Sequence, residues 1–179
     1  PGKKLLFMGG EFGQFIEWDY KEGLDWLLLD YKKHQKVQDF MQELNQVYRK
    51  EKALWQLDHE HEGFRWIEAD DYEQSVLSFI RSSENEKLAV VLNFTPVPRD
   101  DYRIGVPGPG EYELLLNTDQ KMYGGSDYET AARIKTEEIP FHGFEHSISI
   151  NLPPLAGMYL KFNAKKSKTK KDKKSNKNN

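Results

Sequence analysis

A run of aromatic and acidic side chains stands near the start of the chain, in the stretch GEFGQFIEWDYKEGLDW at residues 10–26. Sugars select this mixture, because a pyranose stacks its apolar C–H face on an indole while its hydroxyls bind carboxylates and amides. Trp18, between Glu17 and Asp19, is hard to bury and is the better stacking candidate. Trp26 is followed directly by three leucines, so core packing and a sugar contact are equally supported for it.

Two further polar residues open this stretch. Glu11 follows the apolar run KLLFMG at residues 4–9, and a carboxylate just beyond a barrel strand stands where α/β barrels place substrate and catalytic groups. The alternative is a loop acid whose oxygens bind backbone amides. Gln14 belongs to the same run of hydrogen-bonding side chains and joins Glu11 as a candidate substrate contact.

The histidines and glycine pairs give weaker signals. His59 and His61 alternate with acids in DHEHEG, but this polar linker offers no third ligand, so a solvated connector is favoured over a metal site. The HGFEH stretch at residues 142–146 is expected to be a surface turn. The glycine pairs lack the spacing of a phosphate-binding loop. We therefore expect neither a metal nor a cofactor.

The elements that carry the aromatic stretch are a predicted strand before it and a predicted helix after it. The run KLLFMG is typical of a buried strand, which needs neighbours on both sides. No such neighbour follows, so the sequence predicts that they lie upstream. The helix is indicated by apolar residues at i, i+3, i+4, i+7 spacing: Val37, Phe40, Met41, Leu44, Val47 and Tyr48.

From Gly63 onward the hydrophobic period changes from 3.6 to 2. Seven short segments predict strands of an antiparallel β-sandwich: FRWIEA, SVLSFIRS, KLAVVLNF, DYRIGV, EYELLLN, HSISINL and GMYLKF. The polar stretch over residues 118–143 is expected to cross the surface and to carry short strands at most. Trp66 lies on a strand pattern and Trp55 on a helical one, so packing is the first interpretation of both, with Trp66 in the core.

The composition limits the classes of protein to which the chain can belong. The chain has 179 residues, 37% of them hydrophobic, and no cysteine, which excludes disulfides and a cysteine nucleophile and suits a reducing cytoplasm. Residues 164–179 hold eight lysines against one aspartate, so the overall charge of −3 leaves −10 on residues 1–163. An acidic body argues against a nucleic-acid partner, and no segment is long and apolar enough to predict a membrane span. The lysine-rich end is predicted to be a disordered tail.

Five ordered motifs give a more specific indication. The stretches LLFMGGEFGQ, EW followed by LDW, NFTPVPR, YGGS and LPPLAGMYL resemble the C-terminal part of bacterial glycogen branching enzymes, a family of the α-amylase superfamily. The similarity covers residues 2–162 and leaves out the lysine tail. It implies a mixed fold: the last strand and helices of a (β/α)8 barrel at residues 1–60, an all-β antiparallel sandwich at 61–163, and a tail at 164–179.

The resemblance also implies a chemistry. Family members cleave an α-1,4 glucan with retention and transfer the segment to a 6-hydroxyl, which requires two carboxyl groups roughly 5 Å apart. The family places its catalytic carboxylates earlier in the barrel, so no catalytic residue is carried over. The carried-over substrate contacts are Glu11, Gln14, Trp18 and Trp26, and the implied partners are an α-glucan and the upstream barrel. Asp19 departs from the family's EWN, which puts a hydrogen-bonding role at that position in doubt.

Three hypotheses stay open on the sequence. The chain is part of a cytoplasmic branching enzyme and inactive alone, or a stand-alone glucan-binding module with an aromatic platform on its sandwich, or a structural domain that contacts no substrate. Related hydrolases of the α-amylase superfamily share the architecture, and the motif set is what favours branching.

Overall fold

The computed structural model describes residues 2–164. The prediction of a disordered lysine-rich tail falls on residues beyond this range, apart from Ala164, which ends the last strand. The described residues form one α-helix, several short 3-10 helices and eight strands.

The predicted helix is confirmed. Helix α1 spans Lys32–Lys50, and its apolar stripe meets the rest of the chain along one side: Val47 is buried, and the Phe40 ring packs edge-on against Tyr123 with centroids 5.4 Å apart. Lys36 Nζ donates a hydrogen bond to the carbonyl oxygen of Lys121 at 2.8 Å. The amphipathic pattern therefore placed the helix correctly, and its contacts join it to a loop of the β region.

The predicted strand at residues 4–9 is wrong for this structure. Residues 2–7 have no regular secondary structure, and the Leu5 side chain is 86% exposed. A strand forms only when its backbone N–H and C=O groups find a neighbouring strand. The described part of the chain offers this segment no such neighbour, so its backbone forms no strand and several of its apolar side chains stay exposed.

All seven predicted strand segments are strands in the structure. Their bounds are β1 Phe64–Asp71, β2 Val76–Ser82, β3 Lys87–Asn93, β4 Arg99–Val106, β5 Gly110–Asn117, β7 His146–Leu152 and β8 Gly157–Ala164. The short strand β6, Arg133–Lys135, lies in the polar stretch where short strands were expected. The period-2 pattern thus identified each long strand.

The strands form two antiparallel sheets of unequal size. The larger sheet has the order β1-β2-β3-β8-β5-β6, and β4 pairs with β7 in the smaller one. Side chains of both sheets meet in one core, with Val91 and Leu160 facing Ile104 and Ile148, all of them almost completely buried. The chain is therefore an all-β sandwich domain with a helical segment ahead of it.

The helical segment covers part of the outer face of the large sheet. Val47, Ala53 and Leu54 form a second apolar cluster with Leu88 of β3. This explains why β3 reads as a continuous apolar run, KLAVVLN, because a strand covered on both faces needs apolar side chains on both. The sandwich and the helix thus share an interface.

Two buried ion pairs reinforce this interface. Glu51, 2% exposed, accepts a hydrogen bond from Lys161 Nζ of β8 at 2.5 Å. Arg81 of β2 pairs with the buried Asp58 and also donates to the carbonyl oxygens of Gly63, at 3.1 Å, and Leu54, at 3.3 Å. These groups fix the helical segment, and the aromatic loop ahead of it, relative to the sandwich.

Candidate functional site

The aromatic stretch folds as a loop between two short 3-10 helices. The first is Gly10–Phe12 and the second is Trp26–Asp30, which leads into α1. Gly9 and Gly13 flank the first helix with φ of 82° and 69°, a left-handed conformation that glycine adopts at little cost. These turns reverse the chain and send residues 14–25 outward as a loop.

Phe12 anchors the loop to the helix. Its side chain is completely buried, and its carbonyl oxygen lies 2.8 Å from His34 Nδ1 of α1. A carbonyl oxygen only accepts, so His34 Nδ1 is the donor. The sequence analysis did not find His34, because a lone histidine at the start of a helix carries no pattern that reveals its partner.

Trp26 lies on Phe12 and is not part of a core. The two rings are 5.1 Å apart at an interplanar angle of 34°, and 55% of Trp26 is exposed. Phe12 therefore packs against one face of the indole, and the rest of the ring stays accessible. The sequence left core packing and a sugar contact open for Trp26. The structure shows a ring that packs on Phe12 and is also accessible to a ligand.

Trp18 lies across the loop, held at its edge. Its ring meets Phe7 edge-on with centroids 5.6 Å apart, and 39% of the residue is exposed. Together with Trp26 it lines a concavity of about 630 Å³. The two tryptophans that sequence reasoning selected thus face one space.

Gln14 lines the same concavity, but its amide is engaged by the loop itself. Oε1 accepts a hydrogen bond from the backbone N–H of Asp25, and Nε2 donates to the carbonyl oxygen of Ile16, both at 2.9 Å. Glu11 lies elsewhere: it lines a separate concavity of about 490 Å³ against α1, beside Gln38, Met41, Gln42, Asn45, Gln46 and Arg49. The structure brings Gln14, Trp18 and Trp26 together and sets Glu11 apart.

The concavity between the tryptophans is acidic. Four carboxylates belong to its lining, Glu17, Asp19, Glu22 and Asp25, and none of the described residues that line it is Lys, Arg or His. Asp19 Oδ1 accepts a hydrogen bond from the backbone N–H of Lys21 at 2.9 Å, so this departure from the family pattern stabilises a turn. A site of this charge disfavours anionic ligands.

A buried carboxylate fixes the segment before the loop. Burial raises the pKa of Asp58, but hydrogen bonds and charges from Lys4 and Arg81 outweigh it, so the pKa lies below its ordinary value. Lys4 Nζ lies 2.7 Å from Asp58 Oδ2, and the backbone N–H of Gly2 donates to the Asp58 carbonyl oxygen at 2.8 Å. An ionised Asp58 therefore ties residues 2–4 to the sandwich through Arg81.

The prediction that Trp66 is a core residue is wrong. Trp66 is 49% exposed because β1 is an edge strand whose irregular register turns Ile67, not Trp66, toward the core. Trp66 pairs with Phe79 across strands and lies edge-on to Phe64, with centroids 4.9 Å apart. These three rings form a half-exposed aromatic cluster on the outer face of the sheet. Trp55 is also partly exposed, at 39%.

Other candidate chemistry is limited. Within residues 2–164 no three His, Asp or Glu side chains are grouped so that they could hold a metal ion. In the same range, no helix combines the length and the apolar character that a bilayer crossing requires.

The two-sheet sandwich agrees with the family to which the sequence of this domain belongs. Residues 66–163 match the sequence model of the alpha-amylase C-terminal all-beta domain, and the chain belongs to this family.

Individual proteins match a larger part of the chain than this domain model does. The chain is 52% identical over 163 residues to the 1,4-alpha-glucan branching enzyme GlgB of Halothermothrix orenii and, at the same identity and length, to that of Aquifex aeolicus; each alignment covers 90% of this chain and 26% of the relative. The GlgB enzyme of Cellvibrio japonicus is 48% identical over 161 residues, which are 90% of this chain and 22% of that enzyme. The resemblance to bacterial branching enzymes is thereby confirmed, and the chain spans about a quarter of the length of these relatives.

Proposed function

We propose that the chain works as the C-terminal part of a 1,4-alpha-glucan branching enzyme, which cleaves an α-1,4 glucan and transfers the segment to a 6-hydroxyl to form an α-1,6 branch. The observation that carries the proposal is the identity of about half over 90% of the chain with relatives of that name. The identity includes the helical segment and its loop as well as the sandwich. A relationship confined to a shared β-domain would not extend so far.

The geometry of the aromatic loop supports a glucan as the ligand. Trp18 and Trp26 each leave part of an indole accessible in one concavity, and an indole face stacks on a pyranose. The four carboxylates of the lining accept hydrogen bonds from hydroxyls and repel phosphate. We propose Trp18 and Trp26 as stacking residues and Glu11 as a contact of a different part of the substrate.

Exposed apolar side chains support a catalytic barrel as the neighbour of residues 1–60. Leu5, Phe15, Ile16 and Leu27 are 86%, 80%, 70% and 74% exposed. Side chains of this kind, concentrated in one segment, mark a surface that another part of a protein covers. We propose that residues 1–60 complete a (β/α)8 barrel, that the β-domain spans 61–163, and that the enzyme acts in the cytoplasm without nucleic acid or membrane partners.

A chimera tests the proposal directly. In the branching enzyme of Aquifex aeolicus, the segment that aligns with this chain is replaced by the corresponding residues of this chain. The chimera should form α-1,6 linkages in amylose, measured by proton NMR and by loss of iodine staining, at a rate within about tenfold of the parent. The parent enzyme without the segment is the control, and a chimera that folds but forms no branches would contradict the proposal.

A second candidate function has one specific observation in its favour. The cluster of Phe64, Trp66 and Phe79 presents half-exposed rings on the sandwich itself, as a stand-alone glucan-binding module with an aromatic platform would require. Maltoheptaose binding by the 179-residue chain distinguishes the two sites. Loss of binding in Trp66→Ala with retention in Trp18→Ala favours the platform, and the opposite pattern favours the loop.

A further inference from the structure

We infer that Gln14 is a positioning residue: its side-chain amide closes the loop that carries Trp18 and thereby sets the separation of Trp18 and Trp26 across the concavity. The sequence suggested a direct substrate contact, whereas the structure assigns the amide to the loop backbone. The inference rests on the proposed function for the identity of the ligand, and on the described contacts for the role of Gln14.

The hydrogen bonds of Gln14 reach both ends of the loop. Oε1 accepts from the Asp25 N–H and Nε2 donates to the Ile16 carbonyl, each at 2.9 Å, while the Gln14 backbone N–H donates to the carbonyl oxygen of Gly9 at 3.0 Å. An amide supplies a donor and an acceptor in a fixed plane. Its orientation here is therefore determined by backbone groups that are present without any ligand.

The hydrogen bond between Gln14 and Asp25 closes the loop. The other hydrogen bonds made by the described residues 15–24 are local, such as Glu22 N–H to the Asp19 carbonyl at 3.2 Å and Lys21 N–H to Asp19 Oδ1 at 2.9 Å. Within the described residues, the bond from Gln14 to Asp25 spans eleven positions. Without it, the loop regains the conformational freedom that closure removes.

Gly9 provides the space that the Gln14 side chain occupies. A Cβ built on Gly9 would lie 2.8 Å from the Gln14 Cβ and 3.0 Å from its Oε1, and the Gly9 φ of 82° disfavours other residues. The close approach of backbone and side chain holds the amide beneath the loop. This arrangement selects glycine at position 9 and a long amide at position 14 together.

The two side-chain hydrogen bonds of Gln14, to Ile16 and to Asp25, form a clamp that acts on both tryptophans. Trp18 lies within the closed loop, and Trp26 follows Asp25 directly at the start of a 3-10 helix. Opening the loop leaves Trp18 its edge-on contact with Phe7, removes the closure that fixes its position, and releases the Asp25 N–H. The spacing of two stacking surfaces is what a glucan chain requires, so loss of the clamp weakens binding without removing either indole.

The first test reads the tryptophans directly. The 179-residue chain is labelled with 5-fluorotryptophan, and the four fluorine NMR signals are assigned with single Trp→Phe variants. Gln14→Met should shift and broaden the signals of Trp18 and Trp26 and leave those of Trp55 and Trp66 unchanged. Gln42→Met, the same change at an exposed position of α1, is the matched control and should alter none of them.

The second test restores the clamp by protonation. In Gln14→Glu a carboxylate accepts from the Asp25 N–H but has no proton for the Ile16 carbonyl, whereas the protonated carboxyl has both a donor and an acceptor. Lowering the pH should therefore return the Trp18 and Trp26 signals of Gln14→Glu toward those of the unsubstituted chain. Gln14→Met, followed over the same pH range, accounts for titration of the neighbouring acids and should show no such recovery.

The outcomes separate the clamp from the proposed function. Unchanged Trp18 and Trp26 signals in Gln14→Met would overturn the inference, and so would collapse of all four signals, which would assign Gln14 to the stability of the whole fold. Maltoheptaose affinity should fall several-fold in Gln14→Met and recover in protonated Gln14→Glu. If the unsubstituted chain binds no maltoheptaose, the glucan proposal for this loop fails, while the fluorine signals still decide the role of Gln14.

Discussion

Single side chains in this molecule act through partners that are distant in sequence. Asp58 is charged and buried because Lys4 and Arg81 lie beside it, and Phe12 is buried because Trp26 and α1 cover it. Removing one member of such a set leaves the others unsatisfied, which costs more than the contact itself contributes. The largest effects of single substitutions are therefore expected at these shared positions.

Trp66→Ala is expected to be mild, because its side chain is half exposed. The cost of about 3–5 kcal/mol that is typical of truncating a buried aromatic does not apply here, and the loss of the edge-on contacts with Phe64 and Phe79 should cost about 1 kcal/mol. Leu160→Ala, which empties a completely buried position, should cost about 2–5 kcal/mol. Urea unfolding of the two variants measures the difference, and equal losses would contradict the assigned exposure.

Trp18→Ala should instead affect substrate binding. One stacked pyranose face contributes about 1 kcal/mol, by analogy with aromatic pairs, and a tenfold change in affinity needs about 1.4 kcal/mol. In the chimera with the Aquifex aeolicus enzyme, catalytic efficiency on amylose should fall several-fold with little change in melting temperature. An active variant that melts early would identify Trp18 as a packing residue.

Asp58 gives a pH dependence with a defined sign. Its pKa lies below the ordinary 3.8, so the stability it contributes is fully present above about pH 4 and is lost as the pH falls through the lower, folded-state pKa. Asp58→Asn should melt at a lower temperature at pH 7, with a smaller further decrease below pH 4. Melting curves from pH 7 to pH 3 compare the two proteins, and parallel acid profiles would exclude this role for Asp58.

At the scale of elements, the connector between helix and sandwich is more ordered than its polar sequence indicates. DHEHEG was expected to be a solvated linker, but Asp58 and Gly63 are buried, and the Gly63 carbonyl accepts a hydrogen bond from Arg81 Nε at 3.1 Å. A Cβ on Gly63 would lie 1.9 Å from the carbonyl oxygen of Leu57. The connector is thus packed against its own backbone, and its exposed histidines lie on a fixed turn.

This packing changes the expected order of proteolysis. The solvated linker that the sequence predicts at DHEHEG would be cut next after the lysine tail, whereas the structure favours the loop at residues 15–24, whose backbone is tied by few hydrogen bonds. Glu-specific protease should therefore cleave after Glu17 or Glu22 before Glu60 or Glu62. Mass spectrometry of a time course identifies the first products, and early cleavage after Glu60 would show that the connector is open.

At the scale of the whole molecule, the described residues combine a closed sandwich with an open helical segment. The sandwich buries its core between two sheets, while Leu5, Phe15 and Leu27 of the segment stay exposed. The two parts have a common interface at the cluster of Val47, Leu54 and Leu88. The exposed side is the surface that we assign to the barrel.

Isolated from a barrel, the chain should have no branching or amylolytic activity. Retaining transfer needs two carboxyl groups about 5 Å apart across the scissile bond, and the resemblance carries neither of them onto this sequence. Incubation with amylose, followed by iodine staining and reducing ends, should match a buffer control. Any change that depends on the chain would refute the prediction.

The sequence by itself determined the strands and the helix whose apolar residues recur at a regular spacing. Alternation of period 2 identified β1 to β5, β7 and β8, and the 3.6 period identified α1, because burial of one face imposes a periodic apolar pattern. The ordered motifs likewise sufficed to identify the family. These conclusions needed no knowledge of which strand pairs with which.

Only the tertiary structure decided how individual residues are used. Trp66 is exposed because β1 is an edge strand with a shifted register, and the Gln14 amide binds backbone because loop closure brings Asp25 to it. The apolar run at residues 4–9 forms no strand, since strand formation depends on a neighbouring strand and not on the run itself. Exposure, pairing and hydrogen-bond partners are set by residues far away along the chain, and a local pattern holds no record of them.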